Sequence, residues 1–251
     1  MLVKGAHFSD RGRPHRPDRE PRDRAVKRTI RLLPADASMT LTAAEPRILL
    51  TGFEPFGGES ANPSWEIARA LDGWPCEAHR VHAVRLSCVF GDALRELDEA
   101  LAMHRPALVV CLGLAGGRPE ISVERVAINV DDARIPDNSG RQPIDAPVEP
   151  GGPAAYFSTL PIKAIARDVR AAGIAASVSN TAGTFVCNHV FYALMHRLAT
   201  RPELARARGG FVHVPHVTDM ALADQVAGIR RALRTIVLTR DDVRETAGRE
   251  H

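Results

Sequence analysis

Short apolar runs that each meet glycine constrain this chain most. ILLTGF at 48–53, ALVVCL at 107–112 running into GLAGG, and the strand at 210–214 in GGFVHVPH all read as buried strands. Uninterrupted apolar runs of this length suit a sheet covered on both faces, because neither side of the strand can afford a polar residue. Between them lie helical patterns: one opening at Asn62-Pro63, where a cap residue precedes Pro at the first position, then 91–104, 161–172, the stretch after Cys187, and 221–237. Further strands are expected at 80–86, at 121–130 and at 175–179. Strands alternating with helices predict an α/β fold, a three-layer α/β/α sandwich around a mostly parallel twisted sheet. Open sheets of this kind place their sites at the carboxyl ends of strands. GFEPFGG, GLAGG and FVHVPH are therefore the expected walls of one cleft.

The formal charge of +3 on 251 residues is unevenly placed. Residues 1–38 carry ten Lys/Arg against five Asp/Glu, a surplus of +5 that leaves −2 for the remainder. A near-neutral body gives no footing for nucleic acid as a partner. The leader, with its DRGRPHRPDREPRDR, lacks the apolar surface to offset ordering entropy and reads as a basic, disordered extension over 1–46. Its acidic residues speak against an organelle transit peptide, and Met39 offers an alternative start. The folded domain is expected over 47–251. Neither a secretory signal nor a membrane-spanning apolar stretch is evident, so no membrane partner is expected. Cys76, Cys88, Cys111 and Cys187 are too widely spaced for a CxxC metal or redox site, and a reducing cytoplasm fits free thiols.

Three residues have the types of a thiol triad. Cys187 opens an amphipathic helix in TAGTFVCNHVFYALMHRL, with Val190, Phe191, Leu194, Met195 and Leu198 at helical spacing. A helix N-terminus favours thiolate, although a Cys opening an apolar helix also serves as a small core residue. Glu124 falls on one face of the 121–130 strand with Ser122, Val126, Ile128 and Val130. A carboxylate there must be paired: either it orients a catalytic ring, or it forms a structural salt bridge with a nearby Arg. His213 is either the base or a satisfied core histidine. His189 competes as base, but at i+2 on the helix it points away from the thiol. Phe53 and Phe56, flanking Glu54-Pro55, suit the apolar walls of a small-molecule pocket, or core packing. The glycine loops match neither a P-loop nor GxGxxG, so nucleotide binding is weakly supported.

ILLTGFEPFGGESANPSWE, GLAGGRPEISVERVAINVDDARIPDNSG, GGPAAYFSTLPIKAI, SNTAGTFVCNHVFYALM and GGFVHVPH together resemble the pyroglutamyl peptidase I family, also called pyrrolidone-carboxylate peptidase. They occur in the family's order and span about residues 47–240. The resemblance implies a cysteine peptidase that releases an N-terminal pyroglutamyl residue from peptides, in one α/β/α domain, as a homotetramer and without metal or organic cofactor. It also implies Glu124, Cys187 and His213 as the catalytic residues. The pyrrolidone pocket would comprise Phe53, Phe56, Phe185, Val186 and backbone groups at Leu114, with Arg134 near the oxyanion beside the Cys187 N–H. Leu114 stands where some members have Gln, His216 where Tyr is common, and Ser87-Cys88 in a stretch that often holds Pro.

Two other classes compete: a non-catalytic α/β binding module that kept the pocket, and a purine-nucleoside-phosphorylase-like enzyme, for which only fold analogy speaks. One expectation is independent of all three. Deleting residues 1–38 should leave Tm and kcat/KM essentially unchanged, because the leader has no apolar periodicity with which to dock. A large fall in either quantity would place the leader on the body.

Overall fold

The computed structural model describes residues 45–248; the expected extension over 1–46 thus lies almost wholly outside the described residues. Nine strands and five α-helices follow in order. They are β1 (Arg47–Phe53), α1 (Pro63–Ala70), β2 (Pro75–Cys76), β3 (His79–Leu86), α2 (Asp92–His104), β4 (Leu108–Leu114), β5 (Ile121–Glu124), β6 (Val126–Ile128), β7 (Ala155–Phe157), α3 (Ile162–Ala171), β8 (Ala176–Ser179), α4 (Val186–Thr200), β9 (Arg208–Val214) and α5 (Leu222–Leu238). Seven strands form one sheet in the order β2-β3-β1-β4-β9-β5-β8, and β6 pairs with β7 in a separate antiparallel ribbon. Strands β3, β1, β4 and β9 run parallel, whereas β5 runs against β9 and then pairs in parallel with β8.

Period-two alternation divides the core. Ile48, Leu50, Val110, Leu112, Val123 and Val212 pack in one cluster with Ile67 of α1, Ile165 of α3 and Ile229 of α5. Leu49, Phe53, Val109, Cys111 and Phe211 pack in another with Leu97 of α2 and Val190 of α4. The sheet is therefore the middle of three layers, and its central strands are buried except at one terminal residue each, as their apolar runs require. Gly52 lets α1 lie directly on β1: a Cβ there would run into the Ser64 carbonyl, while the Phe53 N–H donates to Ser64 Oγ at 3.0 Å.

The single strand expected over 121–130 is two. Pairing ends at Glu124, the Arg125 N–H closes the ladder on the Ser179 carbonyl at 2.9 Å, and the chain leaves the sheet to pair with β7. Only Ser122 and Glu124 of the expected face belong to the main sheet. Val126 and Ile128 belong to the ribbon, whose second strand the sequence reading missed. The ribbon is bound to α4 by Asn188, which is fully buried. Its side-chain amide accepts from the Ile128 N–H at 3.0 Å and donates to the carbonyls of Ile128 and Val130 at 2.9 and 3.0 Å. Asn188→Ala would orphan three backbone groups. The expected cost is roughly 2–4 kcal/mol, read as a Tm lower by about 5–15 °C for a domain of this size. An unchanged melting curve would show that α4 is held by apolar packing alone.

Candidate active site

The cleft lies where the sheet's parallel strands end. Phe53 closes β1, Leu114 closes β4, and His213 is the penultimate residue of β9. Together with Phe56, Cys88, Arg118, Arg134, Phe185 and Cys187 they line a cavity of about 530 Å³. The glycine-bearing loops after β1 and β4 contribute, as their position after apolar strands suggests, and β9 contributes His213 from within the strand.

Glu124 lies behind this wall rather than on it. It is 0 % exposed, and its Oε1 accepts from His213 Nδ1 at 2.7 Å. The antiparallel register, with Ser122 opposite His213 and Val123 opposite Val212, brings Glu124 to the same face as the imidazole. In the neutral ring, donation from Nδ1–H to the carboxylate leaves the lone pair on Nε2. The ring also leans on Phe211, centroid to centroid 4.8 Å. Glu124 thus contacts both a ring and a cation, since Arg118 Nη1 donates to the same Oε1 at 2.7 Å. Arg118 also reaches Ser179 Oγ at 3.2 Å and the Thr181 carbonyl at 3.0 Å.

Cys187 is the second residue of α4. Phe185 is the extended residue before the helix, and no side chain caps that end. The first-turn N–H groups of Val186, Cys187 and Asn188 have no partner within the helix. The sulfur lies over Gly113 of β4, which is the register neighbour of His213 on β9. A Cβ on Gly113 would come within 2.8 Å of Cys187 Sγ and 2.7 Å of the Phe211 ring. That close approach is why a glycine follows the apolar run of β4. The loop before Cys187 is clamped to the segment after β6: the Asp132 N–H donates to the Thr184 carbonyl at 3.0 Å, and Thr184 Oγ1 donates to the Asp132 carbonyl at 2.7 Å.

One expectation about the thiol is corrected. The helix N-terminus was expected to favour thiolate, yet burial pushes the Cys187 thiol well above its ordinary value. The neighbouring Cys88 and Glu124 add to this, and Arg118 opposes it. Removing the sulfur from water outweighs the dipole, so the resting form is the thiol. Cys88, on the same cavity wall, is likewise pushed up to about 12, first by burial and then by Glu54 and Asp137.

Of the expected pocket residues, Phe53, Phe56, Leu114, Arg134 and Phe185 line the cavity. Phe56 and Phe185 stand 6.2 Å apart, centroid to centroid, and Phe90 meets Phe185 edge-on at 5.4 Å. Arg134 is exposed and makes no ion pair or hydrogen bond among the described residues. Val186 does not line the cavity. It is 0 % exposed in the α4-side core, so its side chain is packing. His189 is excluded as base by its contacts: Nδ1 bonds Asp131 Oδ2 at 2.7 Å, and Nε2 accepts from the Gly91 N–H at 3.0 Å. Sequence reasoning missed Arg118 and Asn188. The available signals were an Arg six residues before Glu124 and a polar residue on an apolar helix. Among the described residues, no three His, Cys, Asp or Glu side chains gather as a metal site, and no helix is long and apolar enough to cross a membrane.

Sulfur, imidazole and buried carboxylate around one cleft are the parts of thiol-dependent acyl-transfer chemistry. Comparison with known proteins narrows this class. The sequence profile of the pyroglutamyl peptidase family matches residues 46–239, and the chain belongs to that family. It is 57% identical over 216 residues to the pyrrolidone-carboxylate peptidase of Cupriavidus taiwanensis, covering 82% of this chain and 100% of that one. Against the Escherichia fergusonii protein of the same name it is 54% identical over 198 residues, covering 76% and 91%. Among solved structures, the pyroglutamyl peptidase I of Bacillus amyloliquefaciens superposes with a TM-score of 0.77 at 42% identity, covering 79% of this chain and 100% of that one. The pyrrolidone carboxyl peptidase of Thermococcus litoralis gives 0.77 at 36%, covering 80% and 99%.

The raised thiol sets a pH dependence. Alkylation of Cys187 by a small neutral reagent should accelerate steadily from pH 6 to pH 9, because the reactive thiolate grows as pH approaches a raised value. Peptide mapping by mass spectrometry identifies the site. A rate already on its plateau at pH 6 would mean a preformed thiolate–imidazolium pair.

Proposed function

We propose that this protein is a cysteine exopeptidase that removes an N-terminal pyroglutamyl residue from peptides, with Cys187 as nucleophile, His213 as general base and acid, and Glu124 as the residue that orients the ring. The observation that carries this reading is the 2.7 Å Glu124–His213 bond behind a cleft that Cys187 lines at a helix N-terminus. His213 Nε2 takes the thiol proton as Cys187 Sγ attacks the pyroglutamyl carbonyl, and the developing oxyanion meets the Cys187 N–H and its first-turn neighbours. Arg134, on the cleft wall, adds positive charge at the same place. Imidazolium then returns the proton to the departing amine, leaving a thioester that water hydrolyses with His213 again as base.

The cavity suits this substrate. Phe56 and Phe185 give the lactam ring apolar walls, and backbone groups near Leu114 and Phe185 are placed to read its amide. A protonated amino terminus would bring an unpaired charge against those walls, at a high cost. The reading extends to a single catalytic domain over 47–251, a homotetramer and a cytoplasmic setting. Four free cysteines support a reducing compartment, and the motif resemblance supports the assembly.

A pyroglutamyl-linked fluorogenic amide should be cleaved, whereas the matching prolyl amide should be rejected by about 10⁴ or more, because it lacks the carbonyl and carries a charged amine. Comparable kcat/KM for the two amides would refute both pocket and function. Binding without turnover would favour the binding-module alternative.

A further inference from the structure

The Arg118 guanidinium joins the end of one strand to the segment that leads to Cys187. It comes from the loop between β4 and β5, and it reaches the end of β5 at Glu124, the end of β8 at Ser179, and Thr181 in the loop that leads to Cys187. Ser179 closes the network. Its hydroxyl donates to the Thr181 carbonyl at 3.0 Å and accepts from the Thr181 N–H at 3.3 Å. The carboxylate end is equally constrained. Glu124 Oε2 is buried with no hydrogen-bond partner among the described residues, so the whole group is compensated through Oε1, by one imidazole N–H and one guanidinium.

We propose that Arg118 is a positioning residue: it fixes the Glu124–His213 pair and the loop bearing Cys187 in one mutual arrangement. The inference rests on the peptidase reading and deepens it. Without Arg118, a buried carboxylate would keep only one neutral partner, an arrangement costly enough to displace or neutralise it. The loop would at the same time lose its side-chain tie to Glu124, leaving only the backbone ladder between β5 and β8 to hold its start. A lysine keeps the charge but not the fork, because one ammonium cannot reproduce a planar guanidinium's separate bonds to the carboxylate and to the Thr181 carbonyl.

The test uses the full chain. Arg118→Met should lower kcat for the pyroglutamyl amide by about 10²-fold with KM within about twofold of wild type, the pattern of misplaced catalytic groups rather than a lost substrate contact. Arg118→Lys should recover part of that loss and fall between the two. In a Glu124→Gln background, Arg118→Met should change kcat by less than about threefold, since groups that act as a unit are not additive. A readout free of turnover is the downfield ¹H resonance of His213 Nδ1–H, expected in wild type and Arg118→Lys and absent in Arg118→Met. A raised KM with kcat intact would make Arg118 a substrate contact. A lowered Tm with unchanged kcat and resonance would make it scaffold. Either result overturns the proposal, as does full additivity with Glu124→Gln. Should Arg118→Met fail to fold, an Arg118→Lys enzyme with wild-type kcat overturns it equally. A wild-type protein inert towards the amide yet showing the Arg118-dependent resonance would sink the peptidase reading while leaving the positioning role.

Discussion

One buried oxygen, Glu124 Oε1, organises the site. It accepts two hydrogen bonds of 2.7 Å, from His213 and from Arg118. An isolated carboxylate inside an apolar sheet layer would not remain ionised, because no interior contact replaces its hydration. A guanidinium alongside compensates the carboxylate, which faces the imidazole Nδ1. The neutral tautomer with Nδ1–H towards it leaves Nε2 as the basic nitrogen, the form a general base requires. The same guanidinium extends to the segment that runs from the end of β8 into the Cys187 loop, so satisfying one charge also ties that segment to β5.

Topology makes this possible. Strands β1, β4 and β9 deliver their last residues to the cleft in the usual manner of parallel sheets. β5 enters the sheet in the opposite direction, so Glu124 approaches His213 along the strands rather than across the cleft. The carboxylate can then be fully buried while the imidazole and sulfur stay on the cavity wall. On the other side, Gly113 removes the one Cβ that would separate Cys187 from the sheet. A second histidine–carboxylate pair, His189–Asp131, lies two residues along the same helix, but its Nε2 is occupied by the Gly91 N–H. Satisfied on both nitrogens, it braces the α2 entrance and has no lone pair to offer.

What the sequence revealed follows from what periodicity encodes. Apolar runs and their spacing report which face of an element is buried, so the strands, the Cys187 helix and the layered fold were legible. Periodicity does not report a change of partner. Alternation continues through Val126 and Ile128 after the chain has left the main sheet at Arg125, and the expected ten-residue strand was really two. Nor does it identify the cation paired with a buried acid: Arg118 sits in a glycine-rich loop that looks solvated. Val186 belongs to the same motif as the pocket residue Phe185, but the helix turns its side chain into the core. The thiolate expectation considered the dipole and not the cost of burial.

That last correction bears on how selectivity and reactivity fit together. A cleft walled by Phe53, Phe56 and Phe185 is a poor environment for a standing thiolate–imidazolium pair, whose desolvation its mutual attraction offsets only in part. A neutral thiol is compatible with those walls, and so is a neutral lactam. In the proposed reaction, charge then appears only as sulfur attacks, on the imidazole beside Glu124 and on the oxyanion beside the α4 N-terminus. Both stabilising elements are fixed before the substrate arrives, Glu124 by Arg118 and α4 by the Asn188 bonds to β6 and the Thr184–Asp132 clamp. Interactions that strengthen only as charge develops lower the barrier instead of merely tightening binding. In the proposed reaction, the apolar walls that would exclude a protonated amino terminus are thus the same walls whose burial raises the Cys187 thiol.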